Sequence, residues 1–325
     1  MNNLSILLTG GTGSFGNKFV EMTLKKYNPK KLIIFSRDEM KQWHMAQKFN
    51  DKRLRFFLGD IRDKDRLFRA ADEVDIIIHA AALKIVPTAE YNPFESVKTN
   101  IIGAMNLIDV AIERKVKKVI ALSTDKACNP INFYGATKLA SDKLFIAGNN
   151  YVGKKPTSFS VVRYGNVIGS RGSVIPFFLE LRKQKKQLTI TDKKMTRFFT
   201  SLDDAVKMVW IGLNKMKGGE IFVAKNPSIK IIELAKAIDS NPIKDIGIRP
   251  GEKINEVLIS REESEHAYDC GSYYSILSPI TERKKPTYLT KSKKVPEGFE
   301  YNSNENKFLN LKEIKKIISK IKKNN

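Results

Sequence analysis

Short apolar runs alternate with amphipathic stretches through the first half of the chain. The runs typical of strands cover residues 4–8, 32–35, 54–58, 76–79, 118–123 and 158–163. Stretches with apolar positions at helical spacing lie between them, for example at 15–27, 39–49 and 97–114. This alternation predicts an α/β fold, in which crossover helices cover a doubly wound parallel sheet. Ligands of such sheets bind at the carboxyl ends of the strands.

The alternation stops after residue 163, where Pro, Gly and isolated charges separate short segments. The stretch 201–213 again has the pattern of a scaffold helix, so we expect the chain to return there to the first domain. The predicted organisation is a first domain over 1–165 that the chain re-enters around 200–222, and a smaller C-terminal α/β lobe over 166–199 and 223–325.

The 325 residues carry a formal net charge of +23, which raises the question of anionic partners. Lysines are spread over the chain instead of being gathered with aromatic residues, so we predict no nucleic-acid partner. No apolar run approaches the ~20 residues that span a bilayer, and the N-terminus lacks a signal sequence. We therefore expect a cytoplasmic protein without a membrane partner. A capping helix docked on the protein is predicted near the C-terminus by the spacing of Leu311, Ile314, Ile318 and Ile321.

Cysteine and histidine are too sparse for a disulfide framework or a metal site. Cys128 and Cys270 lie far apart in the chain, and neither belongs to a Cys-x-x-Cys or Cys/His array. His44, His79 and His266 have no acidic residue at the spacing of metal ligands. We expect neither a disulfide nor a bound metal.

A glycine-rich segment joins the first predicted strand to the first helix. In a Rossmann-type domain, glycines at this Gly-x-x-Gly-x-x-Gly spacing allow a tight turn, the approach of a pyrophosphate and close packing of helix on strand. Glycines also mark ordinary turns, but directly after the first strand the segment predicts a dinucleotide site. The residues assigned to this loop are Thr9, Gly10, Thr12, Gly13, Ser14, Phe15 and Gly16.

The end of the second predicted strand bears on the choice between NAD and NADP. A carboxylate there binds the ribose hydroxyl of NAD, whereas this chain has Ser36 and Arg37, which suit a 2′-phosphate. We predict NADP, while Asp38 and Glu39 keep NAD open unless they begin the next helix. A further cofactor contact is predicted at Lys41. Contacts that are also consistent with a turn or packing residue are predicted at Asp60, Ile61, Ala80, Ala81 and Ala82.

Tyr134 and Lys138 are one helical turn apart and therefore project from one helix face. A nearby ammonium and a positive nicotinamide are expected to lower the pKa of Tyr134, so that the phenolate accepts an alcohol proton. Tyr-x-x-x-Lys alone occurs by chance in many helices. Here it follows a glycine loop and a strand that ends at Thr124, directly before Asp125 and Lys126. The combination indicates oxidation chemistry followed by a further step.

These motifs resemble the extended short-chain dehydrogenase/reductase superfamily, whose members act on nucleotide sugars. The resemblance assigns redox work to Tyr134 and Lys138 and sugar-hydroxyl binding to Thr124. Plain epimerases of the superfamily lack the acid and amine seen here as Asp125 and Lys126, which point to a dehydratase. The chain is similar to the family of inverting UDP-N-acetylglucosamine 4,6-dehydratases of pseudaminic acid synthesis. The matching stretches are 9–16, 35–39, 79–87, 122–138, 163–176, 195–201 and 249–257.

The resemblance implies NADP as cofactor, UDP-N-acetylglucosamine as substrate and a homo-oligomer, either a dimer or a hexamer. It assigns Asp125 as the acid that helps the C6 hydroxyl leave and Lys126 as the group that handles the C5 proton. Inversion then requires reprotonation on the opposite face of the sugar. Asn100 resembles the asparagine that supports the cofactor site in this family.

Several residues beyond the catalytic segment are assigned to the substrate through the same resemblance. Asn166 is expected to meet the diphosphate, and the arginines offer forks to phosphate oxygens, although any one of them is also consistent with a surface residue. The chain departs from its relatives at Asn255, where they usually carry His. The predicted substrate-binding residues are Lys84, Thr124, Asn166, Arg171, Arg197, Arg249 and Glu252.

Four alternatives remain open at this level. A retaining nucleotide-sugar 4,6-dehydratase is one, although its relatives carry membrane helices and usually Met at the position of Tyr134. A UDP-sugar epimerase is the second. An NADP-sensing regulator would keep the glycine loop but would need neither Tyr134 nor Lys138, and a nucleic-acid binder would show strongly salt-dependent duplex binding.

Overall fold

The computed structural model describes residues 1–170, 172–280 and 286–324. The strands of these ranges are β1 (Ser5–Thr9), β2 (Lys31–Ser36), β3 (Leu54–Leu58), β4 (Ile76–His79), β5 (Lys118–Thr124), β6 (Ser158–Tyr164), β7 (Asn166–Val167), β8 (Thr189–Ile190), β9 (Thr196–Thr200), β10 (Ile221–Ala224), β11 (Ser228–Lys230), β12 (Lys244–Asp245), β13 (Val257–Ile259), β14 (Ala267–Asp269), β15 (Tyr273–Ile276), β16 (Lys293–Lys294) and β17 (Tyr301–Asn302).

The α-helices of the same ranges are α1 (Ser14–Lys26), α2 (Glu39–Phe49), α3 (Lys64–Ala70), α4 (Val86–Tyr91), α5 (Pro93–Val97), α6 (Gly103–Glu113), α7 (Phe133–Ala147), α8 (Val174–Lys183), α9 (Leu202–Lys215), α10 (Ile231–Ile238) and α11 (Leu311–Asn324). A π-helical turn, Lys98–Ile102, separates α5 from α6. Such turns are frequent at functional sites.

The main sheet has the strand order β3-β2-β1-β4-β5-β6-β10-β15-β14-β16. Its strands run parallel from β3 to β10, and the last three continue it antiparallel. The order reverses between β1 and β4, where a doubly wound sheet opens its ligand crevice. The predicted α/β fold with a Rossmann-type doubly wound sheet is confirmed.

Two apolar cores cover the faces of this sheet, because successive strand residues point to opposite sides. Leu7 of β1 packs in the core that includes Leu107 of α6. Its neighbours Ile6 and Leu8 belong to the other core, together with Phe19 of α1. Helix α9 adds to the second core, so that the segment from α9 to β10 rejoins the main sheet. The continuous apolar runs of the sequence therefore reflect strands that are buried on both faces.

A third core belongs to the smaller lobe and packs α8, α10 and α11 around Phe178, Leu234, Ile314 and Ile318. Its sheet has the order β11-β9-β7. The C-terminal helix is thus docked through its apolar face. The range predicted for the lobe includes three strands that extend the main sheet: β15 pairs with β10, β14 pairs with β15, and β16 pairs with β14. No sequence pattern indicated this extension of the main sheet, because these short antiparallel strands are not joined by crossover helices.

No helix of the described residues is long and apolar enough to cross a membrane. Arg171 lies outside the described residues, as do residues 281–285 and 325.

Candidate active site

The glycine loop connects β1 to α1 at the carboxyl edge of the sheet, beside the turn after β4. Gly10 has φ +65°, and a Cβ on it would lie 2.7 Å from the Ala81 nitrogen. A Cβ on Gly16 would lie 2.0 Å from the Gly11 carbonyl oxygen. Both positions therefore need glycine, the first for conformation and close approach and the second for packing of α1.

Gly13 directly precedes α1. Among the described residues, a Cβ on it would contact only the Gly10 carbonyl oxygen, at 3.3 Å. Gly13 is also the N-cap of α1, and no described side chain caps the helix there. A helix N-terminus that begins at a glycine without a side-chain cap suits a pyrophosphate, so this loop fits a dinucleotide.

Thr9 ties the loop to β4. Its hydroxyl lies 2.8 Å from His79 Nδ1 and accepts a hydrogen bond of 3.4 Å from the Ala81 nitrogen. The Ala80 nitrogen donates to the Thr9 carbonyl at 3.2 Å. The turn containing Ala80 and Ala81 thus lies directly against the glycine loop, where the sequence predicted close approach of a cofactor.

The end of β2 presents a mixture of buried hydroxyl and exposed charge. Ser36 Oγ accepts hydrogen bonds from Thr12 Oγ1 at 3.2 Å and Gln42 Nε2 at 3.1 Å. The Arg37 side chain is 54% exposed and its Nη1 lies 3.3 Å from Asp60 Oδ2. Arg37 therefore remains accessible to a ligand, while Ser36 is already part of a local network.

Asp38 is the N-cap of α2, since its carboxylate accepts a hydrogen bond of 2.9 Å from the Lys41 nitrogen. The Lys41 ammonium also pairs with Asp38. This capping role is the alternative that the sequence left open for Asp38. Ile61, another predicted cofactor contact, is buried in the core that includes Leu7 and Leu107.

Asn100 lies in the π-helical turn and joins three parts of the site. Its side-chain oxygen accepts from the Leu83 nitrogen at 2.9 Å, and its Nδ2 donates to the Leu83 carbonyl at 2.9 Å. The same Nδ2 donates to Thr137 Oγ1 at 3.0 Å. Asn100 thereby holds the loop after β4 against α7, the helix that carries the tyrosine and lysine.

Helix α7 begins beside the turn that follows β5. Its N-cap Asn132 accepts a hydrogen bond of 2.7 Å from the Gly135 nitrogen. A Cβ on Gly135 would lie 2.2 Å from the Lys126 carbonyl oxygen. Only glycine allows this close approach. It places Tyr134, the preceding residue of α7, next to the turn that contains Asp125 and Lys126.

Asp125 and Lys126 form an ion pair at the end of β5. Asp125 is 0% exposed, and its Oδ1 lies 3.0 Å from Lys126 Nζ and 3.0 Å from Thr124 Oγ1. Lys126 Nζ also lies 3.5 Å from Asn166 Oδ1 and 3.1 Å from Glu256 Oε1. Residues from both lobes therefore enclose one ammonium.

The charges around Lys126 set its protonation. Burial by itself lowers the pKa of the Lys126 ammonium, but the carboxylates of Asp125 and Glu256 outweigh burial and raise that pKa. Burial, reinforced by Lys126, lowers the pKa of Lys84 in the loop after β4. Lys84 thus lies within electrostatic reach of the same cluster, as its predicted place in the substrate site requires.

The expectation of a lowered pKa for Tyr134 differs from what the protein alone produces. Burial raises the pKa of Tyr134 to about 12, against the opposing influence of the Lys126 ammonium and of a hydrogen bond with Thr124. Burial also lowers the pKa of Lys138, which Asp142 partly offsets. Tyr134 is therefore neutral in the protein by itself. The expected fall in its pKa came from the nearby positive charges alone, whereas burial of the phenolate has the larger and opposite effect.

A buried charge network lies behind α7. Asp142 Oδ2 accepts from Ser123 Oγ at 2.6 Å and lies 3.6 Å from Arg163 Nη2. Arg163, fully buried in β6, pairs with Glu263 at 2.8 Å. Burial raises the pKa of Asp142, and Arg163 opposes this. The network connects the catalytic helix to the segment after β13.

The predicted substrate residues are brought together only in part. Arg197 is buried, and its guanidinium donates to the carbonyls of Thr196, Ile254 and Lys253 at 2.6, 2.9 and 2.8 Å. Arg249 is exposed, and its backbone nitrogen donates to Glu252 Oε2 at 3.4 Å. Asn255 accepts from Thr196 Oγ1 at 2.7 Å. The phosphate contacts of Arg197 and Arg249 stay predictions.

Glu256 and Glu263 were missed by the sequence reasoning. Both stand more than a hundred residues after the catalytic segment, and no spacing rule connects them with it. The only sequence sign was that Glu256 falls within the matching stretch 249–257.

The fold and the arrangement of Tyr134, Lys138 and the glycine loop define a Rossmann-type protein of the extended short-chain dehydrogenase/reductase class. The chain belongs to the family described as polysaccharide biosynthesis protein, whose sequence profile matches residues 6–278. It is 53% identical to the inverting UDP-N-acetylglucosamine 4,6-dehydratase of Campylobacter jejuni, over 98% of this chain and 98% of the relative. The resemblance found in the sequence is confirmed.

Two further relatives bear on the reaction and the fold. The chain is 44% identical to a protein of Rickettsia felis named UDP-glucose 4-epimerase, over 97% of this chain and 95% of that relative. The X-ray structure of Pen from Bacillus thuringiensis superposes with a TM-score of 0.91 at 36% identity, covering 99% of this chain and 98% of that one.

Proposed function

We propose that the protein is an inverting UDP-N-acetylglucosamine 4,6-dehydratase, a hydro-lyase. Its product would be UDP-2-acetamido-2,6-dideoxy-β-L-arabino-hex-4-ulose, and its role the first step of pseudaminic acid synthesis for surface or flagellin glycosylation. The observation that carries the proposal is the ion pair of the buried Asp125 and the partly buried Lys126, 3.0 Å apart, beside Tyr134. The 53% identity to the Campylobacter jejuni dehydratase supports it.

The residues divide the reaction between them. The positive nicotinamide, when bound, would favour the phenolate of Tyr134, and this phenolate accepts the proton of the C4 hydroxyl, with Lys138 one turn further along the same helix. The resulting ketone acidifies the C5 hydrogen, which Lys126 removes, and Asp125 protonates the C6 hydroxyl as it leaves as water. When bound, the nicotinamide dinucleotide supplies the redox chemistry by taking a hydride from C4 and returning it to C6.

NADP is the proposed cofactor, and the exposed Arg37 at the end of β2 supports it. Arg37→Ala should weaken binding of NADP by about tenfold to a hundredfold, because a charge-assisted hydrogen bond is worth about 1.5–3 kcal/mol. Binding of NAD should change little. Isothermal titration of the cofactor-stripped protein measures both. Lys48→Ala, at the far end of α2, removes the same charge and should leave both affinities unchanged. Equal losses for NAD and NADP in the Arg37 variant would contradict the choice of NADP.

The smaller lobe is proposed to bind the nucleotide sugar, with Asn166 of this lobe and Lys84 of the first domain nearest the reacting sugar. Lys126 Nζ lies 3.5 Å from Asn166 Oδ1, which supports this placement. Arg197, Arg249 and Glu252 are proposed to serve the UDP group. Because UDP-sugars and NADP are cytoplasmic metabolites, we propose that the reaction takes place in the cytoplasm.

A homo-oligomer, either a dimer or a hexamer, is also proposed. Large apolar side chains are exposed on the neighbouring segment from α4 to α6, and exposed apolar patches mark interaction surfaces. These side chains are Tyr91, Phe94, Ile102 and Met105. Light scattering of Phe94→Glu should report a smaller particle than the unchanged protein. Tyr151→Glu, which alters an exposed aromatic residue elsewhere, should not.

A UDP-sugar 4-epimerase is the second candidate, because of the 44% identity to the Rickettsia felis protein. Incubation with UDP-N-acetylglucosamine in deuterated water, without added cofactor, separates the two reactions. The dehydratase should remove the C6 hydroxyl, incorporate deuterium at C5 and invert C5, all visible by NMR. Simple 4-epimerisation with an intact C6 hydroxyl, or no turnover, would exclude the dehydratase.

A further inference from the structure

Glu256 is a buried carboxylate that enters the active site from the segment before β13. It is 2% exposed. Its backbone is held by Ser303, since the Glu256 nitrogen donates to Ser303 Oγ at 2.9 Å and the Ser303 nitrogen donates to the Glu256 carbonyl at 2.9 Å. The carboxylate therefore has a fixed position.

The two oxygens of this carboxylate have different surroundings. Oε1 lies 3.1 Å from Lys126 Nζ and 3.7 Å from Arg197 Nε. Oε2 is buried without a hydrogen-bond partner among the described residues, and Lys253 Nζ lies 3.9 Å from it. A buried acceptor oxygen that lacks a partner costs free energy, so its retention beside a catalytic lysine calls for an explanation.

The other titratable groups around Lys126 come from several elements. Asp125 precedes it in the turn after β5, Lys84 approaches from the loop after β4, and Tyr134 faces it from α7. Arg197 Nε and Lys253 Nζ lie 3.7 and 3.9 Å from the Glu256 carboxylate. Among these groups, Asp125 and Glu256 are the carboxylates within hydrogen-bond distance of the Lys126 ammonium.

Lys126 meets a chemical obstacle in the proposed reaction. An ammonium has no lone pair, so Lys126 must lose a proton before it can remove the C5 hydrogen. Asp125, a carboxylate in its ion pair with Lys126, must in turn gain a proton before it can expel the C6 hydroxyl. A second carboxylate that accepts the lysine proton would satisfy the requirement without solvent.

We propose that Glu256 is this acceptor: the Lys126 N–H bond breaks, an O–H bond forms on Glu256, and the ion pair becomes a neutral amine and a carboxylic acid. The free amine then takes the C5 proton and becomes an ammonium again. That ammonium passes a proton across 3.0 Å to Asp125, which gives it to the leaving C6 hydroxyl, and the proton on Glu256 then returns to the Lys126 amine. C5 takes a proton from solvent on its opposite face, in place of the C4 hydroxyl proton that Tyr134 releases. Glu256 is a positioning residue, because it acts on the proton of Lys126 and not on the sugar. The inference rests on the proposed dehydratase function.

The test compares Glu256→Gln and Glu256→Asp with the unchanged protein, each purified with its bound cofactor and given UDP-N-acetylglucosamine in deuterated water. Rapid-mixing absorbance follows reduction of the cofactor at C4 oxidation, and NMR follows deuterium at C5. The Gln variant should still oxidise C4 but lose about 10²-fold or more in C5 exchange, since proton transfer by a positioned group contributes roughly 10²–10⁴-fold. The Asp variant should recover part of the loss.

The pH profile identifies the role of the carboxylate. In the unchanged protein, C5 exchange should be nearly flat between about pH 6 and pH 9, because the proton moves within the site. In Glu256→Gln the lysine must lose its proton to solvent, so exchange should rise about tenfold per pH unit, as the fraction of free amine does. Ser303→Ala loosens the Glu256 backbone but keeps the carboxylate, and its profile should stay flat.

Each other outcome has a definite meaning. A Gln variant with the rate and flat profile of the unchanged protein would overturn the proposal and leave Asp125 as the acceptor. The Gln and Asp variants could also lose C4 oxidation and C5 exchange to the same extent, with exchange that does not change with pH. That result would give Glu256 a purely structural role and would also overturn the proposal. If the unchanged protein released no water from any UDP-sugar tested, the dehydratase function itself would fall, and this inference with it.

Discussion

Glu263 pairs with the fully buried Arg163 across 2.8 Å, and this contact fastens the segment after β13 to β6 in the centre of the main sheet. The Arg163 guanidinium also donates to the Leu258 carbonyl at 3.0 Å and lies 3.6 Å from Asp142. Because Lys138 lies one turn before Asp142 on α7, the position of the catalytic helix depends on a contact with a distant part of the chain.

Glu263→Gln should lower the free energy of unfolding by about 3 kcal/mol, because removal of one partner leaves a buried charge uncompensated. Urea denaturation measures the loss. The exposed Glu265 provides the matched control, and Glu265→Gln should change stability by less than about 0.5 kcal/mol. Equal effects of the two substitutions would show that the Arg163 pair does not contribute to stability.

His79 should make stability depend on pH. Burial, with the Lys138 ammonium, lowers the pKa of His79 from 6.5 to about 3 in the folded protein. Below pH 6.5 the unfolded chain therefore binds a proton that the folded protein does not bind, and stability falls as the pH falls toward about 3. The contribution approaches about 1.4 kcal/mol per pH unit.

The comparison of unfolding free energies at about pH 7 and pH 5 tests this. His79→Asn should lose less stability over the interval than the unchanged protein, by up to about 2 kcal/mol. His44 is exposed on α2, and His44→Asn should keep the dependence of the unchanged protein. An unaltered pH dependence in the His79 variant would contradict a buried neutral imidazole.

Gly135→Ala should separate α7 from the turn after β5, since its Cβ would lie 2.2 Å from the Lys126 carbonyl oxygen. We expect a loss of turnover of 10²-fold or more, because displacements of about 1 Å at a reacting group have effects of this size. Ala136→Gly changes the exposed neighbour and costs about 1 kcal/mol of helix stability without a clash. Near-normal turnover of the Gly135 variant at unchanged stability would contradict the tight approach.

Asp125→Asn should divide the reaction after its first step. The amide cannot donate the proton that the C6 hydroxyl needs, so dehydration should fall by about 10²–10⁴-fold while the cofactor is still reduced by substrate. Absorbance of the reduced cofactor and NMR of the C6 group follow the two steps separately. Asp65→Asn, an exposed change on α3, serves as control. A variant that dehydrates at the normal rate would remove Asp125 from its proposed role as acid.

The alternation of apolar runs was sufficient to predict the sheet. Ile6, Leu7 and Leu8 are all buried, because helices cover both faces of β1, and such strands appear in the sequence as continuous apolar runs. The spacing of Tyr134 and Lys138 likewise depends only on helix geometry, as does the link from the glycine loop to α1. These are local properties, for which neighbouring residues carry the information.

Long-range pairing decided the rest. The strands β14 to β16 extend the main sheet although their sequence shows no crossover pattern, because an antiparallel edge strand needs only free backbone groups beside it. The protonation of Lys126 depends on burial, on Asp125 and on Glu256, which is 130 residues distant from Lys126 in the chain, and the protonation of Tyr134 depends on burial and on Lys126. Electrostatic effects follow distance in space and the loss of solvent, and neither quantity exists until the chain has folded.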